Sequence, residues 1–236
     1  MTVNVVSAVP LLVLLAGVIL AHTGVLSPLT GYATFLLSVP LGLITTTLVV
    51  VGRSKGIVRT GTVPATMSMM PLVLVAAAAS PGFRLPHVND VTTDTANPPR
   101  YAKAAEIPQN MGRNLDFPAA NASRISAGYP DLKPLRVDLT SRDVYGVYNT
   151  ARALAGDWEG WTITYENPEQ GIIEGYAESF FFRFRDDITI RIVQHGDEAI
   201  VDMRSKSRVG KHDYGANARR IRNYLRSMRN SLGLPH

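Results

Sequence analysis

The sequence predicts an α+β protein: three N-terminal transmembrane helices, then a small domain whose four-stranded antiparallel sheet is packed by two helices. Three observations predict it. Residues 1–80 contain no Asp or Glu and three basic residues, while residues 81–236 hold all 19 acids and 21 of the 24 Lys and Arg. Strand-like alternation is concentrated after residue 160, and an apolar stripe at helical spacing closes the chain. The expected organisation is a transmembrane region at 1–80, an extended arm or ordered loop at 81–139, and an extracytoplasmic α/β domain at 140–236.

The apolar runs are Val3 to Ala21, Tyr32 to Val51 and Val63 to Ala79. At about 1.5 Å per residue the first two cover a hydrocarbon core of about 30 Å, and the third is marginal. Soluble core helices would carry charge on an outer face, and these carry none. Pro10, Pro40, Pro64 and Pro71 are compatible with spanning helices, where neighbours re-satisfy freed backbone groups. The basic residues Arg53, Lys55 and Arg59 all fall between the second and third runs, so that loop is expected inside and everything after Ala79 outside the cytoplasmic membrane. The third run, followed by small residues, also has the form of a signal-peptide core with a cleavage region. Cleavage there would leave the C-terminal part on the same outer side.

From Pro81 to Leu139 the chain is rich in Pro, Asn, Asp and Thr and shows no sustained apolar period, which predicts an arm of turns. A helix is expected over Ser141 to Ala155, from Val144, Val147, Tyr148, Ala151 and Leu154. Strands are expected at Gly160 to Glu166, Ile172 to Phe184, Asp187 to Val193 and Ala199 to Ser205. Alternation puts Ile188, Ile190 and Ile192 on a core face. Glu174, Glu178, Asp187, Arg191, Asp202 and Arg204 are expected to form cross-strand charge pairs on a solvated face. The last helix is expected from Tyr214 to Leu232, packing through Ala218, Ile221, Leu225, Met228 and Leu232 with Arg219, Arg222, Arg226 and Arg229 on its flank.

No cysteine is present, which excludes disulfides, thiolate metal sites and cysteine nucleophiles. His22, His87, His195, His212 and His236 show no metal-binding spacing, and no hydrolase, zinc-protease, phosphate-loop or dinucleotide fingerprint occurs. Neither a cofactor, a metal nor a catalytic residue is therefore assigned. Asp186 and Asp187 are adjacent on a strand, so they point to opposite faces and cannot jointly hold one proton or one metal unless the strand breaks there. Arg183 and Arg185 are placed to neutralise them. Asp213 is positioned to cap the last helix, and Arg208 with the turns at Gly210 and Gly215 could alternatively receive an anion.

The stretch Met203 to Arg229 carries nine Lys and Arg against one acid, Asp213. Alone it reads as a nucleic-acid-binding helix, but an extracytoplasmic location excludes nucleic acid as the partner. The expected partners are the lipid bilayer itself and an envelope protein complex or anionic lipid.

Four separated segments resemble the bacterial domain-of-unknown-function family 1499 and its membrane-anchored members. They are Asn89 to Asp94 with Pro98-Pro99; Tyr129-Pro130-Asp131-Leu132; Phe184 to Ile188; and Val201 to Gly210 with Asp213, Gly215, Asn217, Ala218, Arg220 and Ile221. The resemblance implies a small mixed domain outside the membrane and no established activity. It nominates a polar constellation for ligand or partner binding: Asp90, Thr93, Asp94, Asp186, Asp187, Ser207, Arg208, Gly210, Asp213, Asn217 and Arg220. The function expected is a non-catalytic module. The alternative is an envelope hydrolase or transferase using Asp186 or Asp187 with Asp213.

Overall fold

The computed structural model of the chain describes residues 3–57, 63–82 and 84–235. Arg59 and His236, named above, lie outside them. The chain divides into two compact units: the described residues of Met1–Phe83 with Ser179–Phe184, and Arg84–Glu178 with Arg185–His236.

The first unit holds α1 (Val3–His22), α2 (Pro28–Ser54) and α3 (Val63–Ala79). Helices α1 and α2 are long and apolar enough to cross a membrane, whereas α3, at 17 residues, is apolar but shorter. Among the described residues two helices, rather than the three expected, thus have the length to cross a membrane. Ser27 caps α2 by accepting the Thr30 N–H at 3.1 Å, and Pro28 supplies a pre-set first helical residue. Small residues let the helices meet. A Cβ at Gly17 would lie 2.5 Å from the Phe35 amide nitrogen and 2.7 Å from the Gly31 carbonyl oxygen, so α1 and α2 touch backbone to backbone. Ser68 of α3 donates to the Ser7 carbonyl of α1 at 3.3 Å, with both residues buried.

The second unit is built on a six-stranded antiparallel sheet in the order β1–β6–β5–β4–β3, with β2 also on β6. Its elements in chain order are β1 (Asp90–Thr92), α4 (Ala120–Gly128), β2 (Leu135–Asp138), α5 (Val144–Asp157), β3 (Trp161–Asn167), β4 (Ile172–Glu178), β5 (Arg185–His195), β6 (Glu198–Ser207) and α6 (Ala216–Ser231). Four strands stand where four were expected. The count of four is corrected to six because residues 81–139 supply β1 and β2, which pair end to end along β6, at Arg204–Lys206 and Glu198–Val201. Strands of three and four residues are too short to show a period. The helix α4 has Ala119 at its cap position, which offers no side-chain cap, so it too lacks a signal.

Two boundaries moved for identifiable reasons. The strand expected to run on to Phe184 ends at Glu178, since Arg183 turns the chain at φ 57° and the Phe184 N–H donates to Ser179 Oγ at 2.9 Å. The helix expected from Ser141 begins at Val144, because its cap is Asp143, which accepts the Gly146 N–H at 2.6 Å.

One sheet face is apolar. Ile188, Ile190 and Ile192 of β5 and Val201 and Met203 of β6 are buried with Val147, Tyr148 and Ala151 of α5 and Ala218, Ile221 and Met228 of α6. Each fully buried aliphatic side chain there contributes about 1.5–3 kcal/mol. Tyr224, absent from the predicted stripe, is also fully buried; its ring stacks on Trp161 at 5.1 Å and its hydroxyl donates to the Ala151 carbonyl at 2.7 Å. The other face is polar and buried. Glu174, Asp187 and Arg204 are each at most 2% exposed, which corrects the expectation of a solvated face. The polar side chains do share that face, as alternation requires, but residues of the arm cover it.

Candidate functional site

The arm-covered face is organised around two carboxylates. Asp90 on β1 accepts Arg204 Nε at 2.9 Å and Nη2 at 2.8 Å, and Lys206 Nζ at 2.8 Å. The fork of Arg204 matches the carboxylate, and its remaining donors reach the Leu115 carbonyl at 2.7 Å and the Pro99 carbonyl at 3.2 Å. Its guanidinium lies 4.8 Å from the Tyr101 ring centroid and 5.5 Å from that of Phe117. The arm therefore solvates a fully buried arginine with one acid, two carbonyls and two aromatic faces.

The second centre is Asp187 on β5. Its Oδ1 accepts Arg208 Nη2 at 2.6 Å and Nε at 2.9 Å and Asn110 Nδ2 at 3.0 Å; its Oδ2 accepts Arg113 Nη1 at 2.8 Å. Arg113 also donates to the Ser207 carbonyl at 3.0 Å. Between these centres the Tyr101 hydroxyl donates to the Asp187 carbonyl at 2.9 Å, and burial pushes that phenol well above its ordinary pKa. Glu174 on β4 takes a different solution. Three successive arm amides, those of Ala102, Lys103 and Ala104, donate to its carboxylate, the latter two at 2.8 and 3.1 Å. Burial still holds its pKa above the ordinary carboxylate range, against the opposing pull of those amides.

A third group lies further along the same face. Thr93 donates to Asp202 Oδ1 at 3.1 Å and accepts the Met203 amide at 3.0 Å. Arg191 bridges Asp202 at 2.7 Å and Asp94 at 3.3 Å. The other oxygen of Asp94 accepts the amides of Ala96 and Asn97, at 3.0 and 2.9 Å, as an Asx turn.

The opposite face holds a polar inlay beside the apolar core. Asp186 receives Arg220 Nη2 at 2.7 Å. Asn217, fully buried, accepts from Ser205 Oγ and Arg220 Nη1, both at 2.7 Å, and donates to Ser207 Oγ at 2.9 Å. Asp213 accepts the Gly215 amide at 2.8 Å and the Asn217 amide at 3.0 Å, which is the expected capping of α6, although the left-handed Gly215 occupies the cap position itself. Burial, together with the charge of Asp186, raises the Asp213 pKa.

The nominated residues thus fall into two sets separated by the sheet. Asp90, Thr93, Asp94, Asp187 and Arg208 lie on the arm side; Asp186, Ser207, Asp213, Asn217 and Arg220 lie on the helix side. Asp186 and Asp187 point to opposite faces, so of the two aspartates named with Asp213 in the hydrolase or transferase alternative, only Asp186 shares a side with it. Their counter-ions are Arg220 on one side and Arg208 with Arg113 on the other, whereas Arg185 pairs with Glu178 at 2.9 Å. Arg208, bound to Asp187, is not placed to receive an anion at Gly210, whose carbonyl accepts from Asn89 Nδ2 at 2.5 Å. His212 stacks between His87 and Tyr214, with ring centroids 4.6 and 4.4 Å away, and makes no bond to Asp213. Among the described residues no three His, Asp or Glu side chains converge as metal ligands.

Sequence reasoning missed Asn110, Arg113 and Tyr101 as members of the network. They lie on the irregular arm, where no period announces which side chains turn inward. Glu174 and Arg204 were read correctly as sharing a face.

No curated protein matches the chain. The sequence profile of a family described as a protein of unknown function, DUF1499, matches residues 90–228, which begins at Asp90 on β1 and takes in both polar sets. The chain therefore belongs to the DUF1499 family.

Proposed function

We propose that this chain is a multi-pass protein of the cytoplasmic membrane whose C-terminal unit works on the extracytoplasmic side as a non-catalytic module, binding an envelope protein or anionic lipid. The observation that carries this reading is that the family-matching polar residues satisfy one another inside the fold. Asp90 is held by Arg204 and Lys206, Asp187 by Arg113 and Arg208, and Asp186 by Arg220. Carboxylates spent in this way build a rigid scaffold and leave recognition to the surface. Anchoring is supported by α1 and α2, which have the length and composition of spans. The absence of acids from residues 1–80 and the basic residues Arg53, Lys55 and Arg59 support three crossings with the domain outside.

Protease treatment of intact spheroplasts tests the reading. Digestion of the C-terminal unit from the outer side, with the protein retained in the membrane fraction and copurifying with an envelope component, is the expected result. Full protection until lysis would place the unit inside and overturn the assignment. Recovery as a soluble, partner-free protein would overturn the anchoring.

A further inference from the structure

The loop Ser179–Phe184 joins β4 to β5, yet it belongs to the same compact unit as the apolar helices. Its backbone is pinned: the Ser179 amide donates to the Phe184 carbonyl at 2.8 Å, and the Arg183 amide to the Ser179 carbonyl at 2.9 Å. Two of its rings turn inward. Phe182 meets Tyr32 and Phe35 of α2 edge-on, each at 5.3 Å between centroids, and Phe184 meets Tyr32 at 5.7 Å. His22, the last residue of α1, bonds through Nδ1 to the Phe180 carbonyl at 2.7 Å. The loop is thus fastened where α1 ends and α2 begins.

Its other two rings do not turn inward. Phe180 is 67% exposed and Phe181 61%, side by side on a loop that is held rather than free to fold them away. Leu29, on the first turn of α2, is also 58% exposed, so the end of α2 to which the loop is fastened presents apolar surface of its own. A pinned pair of exposed phenylalanines at the end of two apolar helices matches the apolar side chains that interfacial segments bury at the boundary of headgroup and acyl chain.

We infer that Phe180 and Phe181 are a membrane-interface anchor that inserts into the outer edge of the hydrocarbon, beside the α1–α2 turn. This rests on the membrane reading above and adds a consequence to it. The loop follows α3 in the chain and lies at the α1–α2 turn, so α3 must return the chain to that side, and the short third helix is a crossing.

Because the chain has no cysteine, a single introduced one is a unique label site. Phe181→Cys, and Phe180→Cys as a second position, are each nitroxide-labelled in the full chain reconstituted in phosphatidylcholine–phosphatidylglycerol vesicles. Asp197→Cys, on the exposed β5–β6 turn, serves as the water-facing reference. At 180 and 181 the label is expected to collide more with dissolved oxygen than with a polar nickel chelate, the reverse of the order at 197. The same order at all three positions, in protein that resists alkaline extraction from the vesicles, would overturn the anchor and leave the membrane reading standing. Loss of the protein to the alkaline supernatant would overturn both.

Discussion

The two faces of the sheet bury their side chains by different physics. Towards α5 and α6 lie Ile188, Ile190, Ile192, Val201 and Met203, all buried and in need of no partner beyond close packing. Towards the arm lie Glu174, Asp187, Thr189, Asp202, Arg204 and Lys206, equally buried, and each charge there depends on a specific counter-group. An apolar face tolerates some rearrangement because any well-fitting neighbour serves it. A buried ionic face is less forgiving, since losing one partner leaves the other's charge in a low dielectric. The alternation of polar and apolar residues along a strand is the same whether the polar side meets water or a covering segment.

The largest effect is expected from Asp90→Ala, which removes the acid shared by Arg204 and Lys206. A loss of about 3–5 kcal/mol in unfolding free energy is expected, read by thermal or denaturant unfolding of the detergent-solubilised chain. Combining it with Arg204→Met and Lys206→Met should recover much of that loss, because an apolar set of similar volume carries no charge to strand. No recovery would mean that the ion pairs themselves stabilise the arm. Ile190→Ala, one register position from Thr189 but on the apolar face, should cost about 2–5 kcal/mol. The cost should be independent of pH, measured by the same unfolding curves.

Glu174 sharpens the contrast through pH. Its folded pKa is raised by burial, so the native state binds the proton more tightly than the unfolded chain does. The stability it contributes is therefore fully present below the unfolded carboxylate range and is lost as pH rises through the elevated folded value. Relative to Glu174→Gln, which cannot titrate, the wild-type chain should gain stability on acidification across that window. A flat difference between the two unfolding profiles would show that the three arm amides fully offset burial. The smallest effect is expected at Asp131, whose 2.5 Å contact with Arg222 lies at the surface, with the aspartate side chain 56% exposed. Asp131→Ala should change stability by about 1 kcal/mol or less, and less still at high salt.

Legibility in the sequence followed periodicity. The positions of β3, β5, β6, α5 and α6 were readable because each has enough residues to show a repeat. The aromatic run at Phe180 to Phe184 misled, since strand propensity cannot register that Arg183 adopts a left-handed backbone. Of the site, Asp90, Asp187 and Arg208 stand out in the sequence motifs, but Asn110, Arg113 and Tyr101, which all bond to Asp187, do not. Contacts across 77, 74 and 86 residues leave no local trace.

The pairing of β1 and β2 with β6 carries a consequence for how the molecule is made. Lys206 reaches Asp90 across 116 residues of chain. During synthesis the arm emerges long before its binding edge does, and β1 and β2 have no strand to join until β6, Glu198–Ser207, has been made. Closing so long a loop costs conformational entropy, so docking of the arm has to wait for β6. Its docking marks the moment at which the newly made chain becomes a finished protein.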